Sequence, residues 1–245
     1  MKIDFSKRLF LLAVLILLLT SCSPLKRYSE ENYAWALPEI ERFKVLNKQA
    51  APENALLFFG SSSIRLWSTL AEDMAPYPII QRGYGGAHLR DAIFFPDALL
   101  GKYQPAMIIG FIANDIKGVP EDESPQRVKR LFKYFLKQVR ERQPNVPFLW
   151  IEITPTQSRW AQWEDIQKVN KKIKAYCAKT PQLYFVETAP AFLTQEGKPR
   201  TELFVEDQLH LNAAGYALWS SIIKAEIEKQ LARRLSPYHA QPNRG

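Results

Sequence analysis

The residues best suited to chemistry stand in four short blocks. Gly60-Ser61-Ser62-Ser63 follows one apolar run, Gly83-Tyr84-Gly85-Gly86 a second and Ala113-Asn114-Asp115 a third; Asp207-Gln208-Leu209-His210 comes late in the chain. A serine at a strand-to-helix turn gains from free backbone amides and the helix dipole. Asp and His three apart in a turn can hydrogen-bond. The carboxylate then holds one imidazole nitrogen and leaves the other facing a nucleophile. Glycines let backbone amides approach a ligand, and an asparagine amide can donate to a developing oxyanion. Each block also has a plainer use. Ser61, Ser62 or Ser63 can cap a helix, the glycines can make a tight turn, Asn114 can make an Asx turn, and Asn212 can cap a helix behind a solvated Asp207–His210 turn. His88 is the competing base at the site edge, with Asp91 as its nearest carboxylate.

The blocks must be carried to one place by the elements between them. Ala55–Phe59, Pro78–Gln81, Ala106–Ile112, Pro147–Ile153 and Gln182–Val186 are short apolar runs, the pattern of buried parallel strands. Helical spacing fills Tyr33–Asn47 (Trp35, Ile40, Phe43, Leu46), Ser124–Arg142, Trp163–Ala178 and Ala213–Leu235. Strands alternating with amphipathic helices predict one α/β domain, with a mostly parallel sheet covered on both faces. Ligands bind beyond the carboxyl ends of such strands, where the first three blocks fall.

The chain has 245 residues, 47% hydrophobic and 24% charged, which excludes a mainly disordered chain. Two cysteines, Cys22 and Cys177, and three histidines leave little to build a metal site, so no metal is expected. The net charge of +8 suits an anionic membrane surface more than nucleic acid, because no zinc-finger or basic-zipper pattern appears, the basic residues are scattered among acidic ones, and the N-terminus reads as an envelope address. Lys2, Lys7 and Arg8 precede an apolar run from Leu9 to Leu19, which suits the core of a secretion signal and is short for a membrane span. The following Leu19-Thr20-Ser21-Cys22 resembles the bacterial lipobox. That resemblance implies cleavage after residue 21 and acylation of Cys22. Multiple acyl chains anchor stably, and Ser23 leans towards the outer membrane, facing the periplasm. The expected organisation is a signal at 1–21, a lipidated tether at 22–32, a domain at 33–235 and a tail at 236–245. Cys177, on a helical face, is expected to be buried.

The four blocks together resemble the SGNH (GDSL-type) hydrolases, from about Ala55 to Leu231. Asp207-Gln208-Leu209-His210-Leu211-Asn212 with Gly215-Tyr216 matches the terminal DxxH block, and Phe58-Phe59-Gly60-Ser61-Ser62-Ser63-Ile64 matches the first block. The resemblance implies a flavodoxin-like three-layer α/β/α sandwich on a parallel five-stranded sheet. It implies Ser62 as nucleophile, Asp207 and His210 as acid and base of a triad, and an oxyanion hole from the Ser62 and Gly86 amides and the Asn114 side chain. Two positions depart from the family pattern: Ser61 stands where Asp is common, and Ile112 replaces a glycine. A β-branched residue avoids positive φ, so Ile112 predicts a changed backbone ahead of Asn114.

The implied reaction is hydrolysis of acyl or acetyl esters of lipids, carbohydrates or small molecules, without a cofactor. Trp67, Tyr84, His88, Trp160 and Trp163 are candidates to bind substrate, with ordinary core packing as the alternative for Trp67. Arg65, Arg82 and Arg159 can pair with an anionic group or be solvated. An envelope O-acyltransferase and a catalytically inactive scaffold lipoprotein use the same fold. The sequence leaves oligomeric state open.

Overall fold

A computed structural model describes residues 28–235. The expected signal at 1–21, the acylation site at Cys22 and the tail at 236–245 lie outside them. Within the described part, five parallel strands form one sheet in the order β2-β1-β3-β4-β5. They are β1 (Leu56–Gly60), β2 (Ile79–Gly83), β3 (Met107–Phe111), β4 (Phe148–Ile151) and β5 (Leu183–Val186). Every residue of β1, β3 and β4 is buried, as the unbroken apolar runs predict.

Helix α1 (Leu37–Leu46) comes first, α2 (Ser62–Arg65) and α3 (Leu70–Asp73) join β1 to β2, and α4 (Leu89–Ala92) and α5 (Pro96–Leu100) join β2 to β3. Helix α6 (Pro125–Arg142) precedes β4, α7 (Trp163–Cys177) precedes β5, and α8 (Ala213–Leu235) closes the described chain. The step from β1 to β2 runs opposite to the later steps across the sheet. Right-handed crossovers therefore put its helices on the other face. Alternation along β1 shows both faces. Phe59 packs on Phe135 of α6 (ring centroids 5.1 Å apart) and on Trp150, whereas Phe58 packs on Trp67 (5.8 Å). Trp67 meets Trp219 of α8 at 5.2 Å, and Phe111 meets the same ring at 5.0 Å. The result is the expected three-layer sandwich.

Register places the chemistry. Gly60 lies opposite Gly83 on one side and Phe111 on the other, so β1, β2 and β3 end in line and the loops after them converge.

The N-terminal expectation needs correction. The helical spacing over Tyr33–Asn47 breaks into a 3-10 segment, Glu30–Ala36, and α1. Pro38 sits in the first turn of α1, where its missing N–H is harmless. Tyr33 is non-helical, at φ −119° and ψ 20°, and Trp35 is thrown outwards, 49% exposed, not packed with Ile40 and Phe43. The expected tether also ends early: Tyr28 already donates its hydroxyl to Glu123 Oε1 at 2.5 Å.

Candidate active site

The strand-to-turn junction after β1 is built for close approach. Gly60 has φ +152°, and a Cβ there would stand 2.0 Å from Phe111 O. That contact admits glycine alone. The Ser61 amide continues the ladder to Phe111 O at 3.0 Å. Ser61 holds the N-cap position of α2 but its hydroxyl makes no cap bond. Ser62 is the first residue of α2, where no earlier carbonyl is placed to take its amide. The turn is pinned from outside by Tyr216 Oη, which donates to Ser63 O at 2.9 Å, and by Gln81 Nε2, which donates to Ile64 O at 2.6 Å.

The turn ahead of α8 presents the base. Its backbone bridges Phe204 to Leu211, and the Val205 amide donates to His210 O at 2.9 Å. Gln208 takes φ +54° to complete the reversal. Asp207 Oδ1 accepts the Leu209 and His210 amides, both at 2.9 Å, and Oδ2 meets His210 Nδ1 at 2.6 Å. Partial burial opposes ionisation of Asp207. The bonds from the His210 amide, its ring and the Leu209 amide outweigh it and hold the carboxyl below the usual range. A carboxylate on Nδ1 keeps the proton there and leaves Nε2 as acceptor. That nitrogen lies 2.9 Å from Ser62 Oγ. Asn212 caps α8 as well, accepting the Gly215 amide at 3.0 Å, so the capping and chemical readings of this block hold together.

Gly86 has φ +74° and is solvent-exposed. A Cβ on it would come within 3.4 Å of the Trp35 ring, so the outward tryptophan stands beside this glycine. Asn114 is buried, and its Nδ2 donates to Ala87 O at 2.8 Å. Among the described residues its second hydrogen meets no protein acceptor. Ile112 does not take positive φ; it is buried, and Asn114 still reaches the site.

Ser62, Asn114, Ala113, Thr154, Thr156 and Arg159 line a cavity of about 30 Å³ with the apolar side chains of Phe111, Ile153, Phe204, Leu209, Leu211 and Trp219. Among the described residues, no group of three His, Cys, Asp or Glu side chains could hold a metal ion, and no helix is long and apolar enough to cross a membrane.

The expected substrate-binding residues are mostly elsewhere. Trp67 is fully buried against Trp219 and Tyr216, with its indole N–H on Asp73 Oδ2, so it is core. Tyr84 is also fully buried and donates to Asp91 Oδ1. His88 is 7% exposed, its Nδ1 faces Asp91 Oδ2 at 3.1 Å, and it does not line the cavity of Ser62. These groups brace the glycine loop instead: Asp91 also takes the His88 amide, and Asp115 takes the Leu89 amide at 2.9 Å. Burial pushes the Asp115 carboxyl up to about 6, against the opposing pull of His88 and the Leu89 amide. Trp160 and Trp163 stack on each other at 6.0 Å, and neither lines the Ser62 cavity; Trp163 borders a separate groove with Gln167 and Lys171. Arg82 is buried on Asn47 and Tyr103.

Arg159 and Trp35 are the residues the motifs underrated. Arg159 was one of three candidate cations, with no mark of its own. Trp35 had only its place in a helical pattern.

Residues 58–218 match the GDSL-like Lipase/Acylhydrolase family. The platelet-activating factor acetylhydrolase IB subunit alpha1 of Pongo abelii is 24% identical over 185 residues, 72% of this chain and 75% of that protein. The crystal structure of a GDSL-like lipase from Bacteroides thetaiotaomicron superposes with a TM-score of 0.67 at 20% identity, covering 78% of this chain and 98% of the other. A carbohydrate esterase family 3 structure from Talaromyces cellulolyticus gives 0.56 at 14% identity, covering 73% and 98%. These structures share the fold. The sequence match spans the turn of Ser62 and the turn of His210 alike, and the chain belongs to the GDSL-like lipase/acylhydrolase family of serine hydrolases.

Proposed function

We propose that the protein hydrolyses short-chain carboxylic esters, acetyl esters above all, by acyl transfer through Ser62 to water. The observation that carries this reading is the unbroken line from Asp207 Oδ2 through the His210 ring to Ser62 Oγ, with steps of 2.6 and 2.9 Å. His210 takes the Ser62 proton as the oxygen attacks the ester carbonyl. The carbonyl oxygen becomes an oxyanion, met by the Ser62 and Gly86 amides and by Asn114 Nδ2. His210 then protonates the leaving alcohol, and water releases the acid by the same path.

The preference for short acyl groups rests on the cavity. Its apolar wall, from Phe111, Ile153, Phe204 and Trp219, stands around Ser62 and suits a small apolar acyl group. The names of two similar proteins, an acetylhydrolase and a carbohydrate esterase, agree with this class.

Nitrophenyl acetate, butyrate and octanoate test it. Expected is efficient turnover of acetate, a fall in kcat/KM of at least about tenfold by octanoate, and loss of all turnover in Ser62→Ala. Equal rates across the series would overturn the chain-length preference. Retained turnover in Ser62→Ala would overturn the nucleophile. Acid released in step with nitrophenol marks hydrolysis; acyl groups appearing on an added sugar alcohol would mark a transferase.

We place this activity at the bacterial envelope, with Cys22 as the acylated anchor. The support is the charged start, apolar run and small residues of 1–21. Cys22→Ser is expected to move the protein from membranes to the soluble fraction of its native host. Continued membrane association would defeat the anchor.

A further inference from the structure

Arg159 reaches the site from an element of its own. It lies inside the 3-10 segment Gln157–Gln162, at φ −116° and ψ 20°, where the helix breaks. Thr156 Oγ1 accepts its amide at 3.3 Å. The neighbouring Ser158 amide donates to Gln208 O at 3.1 Å, which ties the segment to the turn of His210. From this fixed base the guanidinium donates twice: Nη1 to Ala113 O at 2.7 Å and Nη2 to Asn114 Oδ1 at 2.5 Å. On its other side Asn114 donates from Nδ2 to Ala87 O at 2.8 Å.

These partners fix which way the amide faces. An amide oxygen only accepts and an amide nitrogen only donates. Turning Asn114 over would set oxygen against Ala87 O and nitrogen against the guanidinium. The one allowed orientation leaves the second Nδ2 hydrogen without a protein acceptor among the described residues, on a side chain that lines the cavity of Ser62. A charged donor on Oδ1 also draws electron density from the amide, which strengthens Nδ2–H as a donor.

We propose that Arg159 is a positioning residue for acyl transfer, fixing and polarising the Asn114 amide so that it donates to the oxyanion. The inference rests on the esterase reading above. In the step it serves, the bond from Ser62 Oγ to the carbonyl carbon forms and the Ser62 proton passes to His210 Nε2. The carbonyl π electrons move onto oxygen. Arg159 stays protonated throughout and transfers nothing; its cationic charge acts on the oxyanion through the amide of Asn114.

A double-mutant cycle on kcat for nitrophenyl acetate tests this. Expected is a loss of about 10- to 100-fold in Arg159→Gln, the size of one charge-assisted bond felt in the transition state, with KM little changed. Asn114→Ala is expected to lose about 10²–10³-fold, and the double variant to be no slower than Asn114→Ala alone. Arg159→Lys, which keeps the charge but loses the fork, should fall between wild type and Arg159→Gln. Losses that multiply in the double variant would show that Arg159 acts independently of Asn114, and overturn the proposal. So would an unchanged kcat. If Arg159→Gln does not fold, Arg159→Lys carries the same cycle. The rate of Ser62 labelling by a fluorophosphonate separates the two levels. Equal rates in wild type and Arg159→Gln defeat this inference alone; a wild-type chain that takes no label defeats the esterase reading and this inference with it.

Discussion

His210 Nε2 stands 2.9 Å from Ser62 Oγ although the two residues are 148 positions apart. The contact is made by two separately braced turns. One is closed by Gly60 against Phe111 O, the other by Asp207 against the Leu209 and His210 amides. Tyr216 of α8 crosses between them to Ser63 O, so the helix behind the base also holds the turn of the nucleophile.

Residues that act as a unit do not add. Ser62→Ala and His210→Ala are each expected to remove about 10⁴-fold or more of kcat on nitrophenyl acetate, and the pair no more than either alone. Asp207→Asn should cost somewhat less, because the ring keeps its place but loses the carboxylate that fixes its tautomer. Initial rates with circular dichroism on each variant check this; a double variant much slower than both singles would mean the residues act separately.

Trp219 joins stability to specificity. Its ring packs on Trp67 and Phe111 and also walls the Ser62 cavity. Trp219→Leu leaves a void and is expected to cost about 3 kcal/mol, within the range for large-to-small core changes. The same void lengthens the acyl pocket, so butyrate should gain on acetate by several-fold. Urea melts and the two kcat/KM values check the pair; lost stability without a shift in chain-length preference would place the acyl group elsewhere.

The strands and the long helices were legible because each is an unbroken apolar run or a 3.6-residue stripe, and local pattern decides them. Ser62 and Asn114 could be singled out because they follow apolar strand runs, and Asp207 and His210 because they stand three apart in a turn ahead of a helix. Trp67, for which core packing stood as the alternative, and Tyr84 could not be decided locally. An aromatic beside a motif can face the cavity or the core, and here Trp219, Tyr216 and Asp91, which lie outside those two blocks, decide for the core. Arg159 was undecidable from sequence, since Asn114 lies 45 residues away and nothing local links them. At Trp35 the signal was present: Pro38 marks a helix start, which places the tryptophan before the helix and off its apolar face.

The outward Trp35 has a measurable consequence. It lies before the residues that match the family, and its ring stands next to Gly86, beside Tyr84 at 6.2 Å. At 49% exposure it offers a flat apolar face at the rim of the site. Aromatic faces of this kind stack on ring-shaped groups. Trp35→Ala is expected to raise KM several-fold for acetates of ring alcohols, such as an acetylated pyranoside, and to leave ethyl acetate unchanged. Equal changes on both substrates would assign Trp35 to the support of Gly86 instead.

Asp115 sets a pH dependence of stability. Its carboxyl is buried beside His88, Asp91 and Arg90 and is pushed up to about 6, from an ordinary value of 3.8. Between those values the folded chain holds a proton that the unfolded chain has lost. Folding is therefore favoured at the acid end and loses stability as pH rises from about 4 to about 6. Two pKa units correspond to about 3 kcal/mol. Asp115→Asn keeps an oxygen for the Leu89 amide, which Asp115 accepts at 2.9 Å, and removes the titration. The stability of Asp115→Asn relative to wild type should therefore climb through this window and level off above it. Urea melts of both proteins at pH 4, 5, 6 and 7 read the difference directly. A flat difference would mean that Asp115 stays ionised in the folded chain.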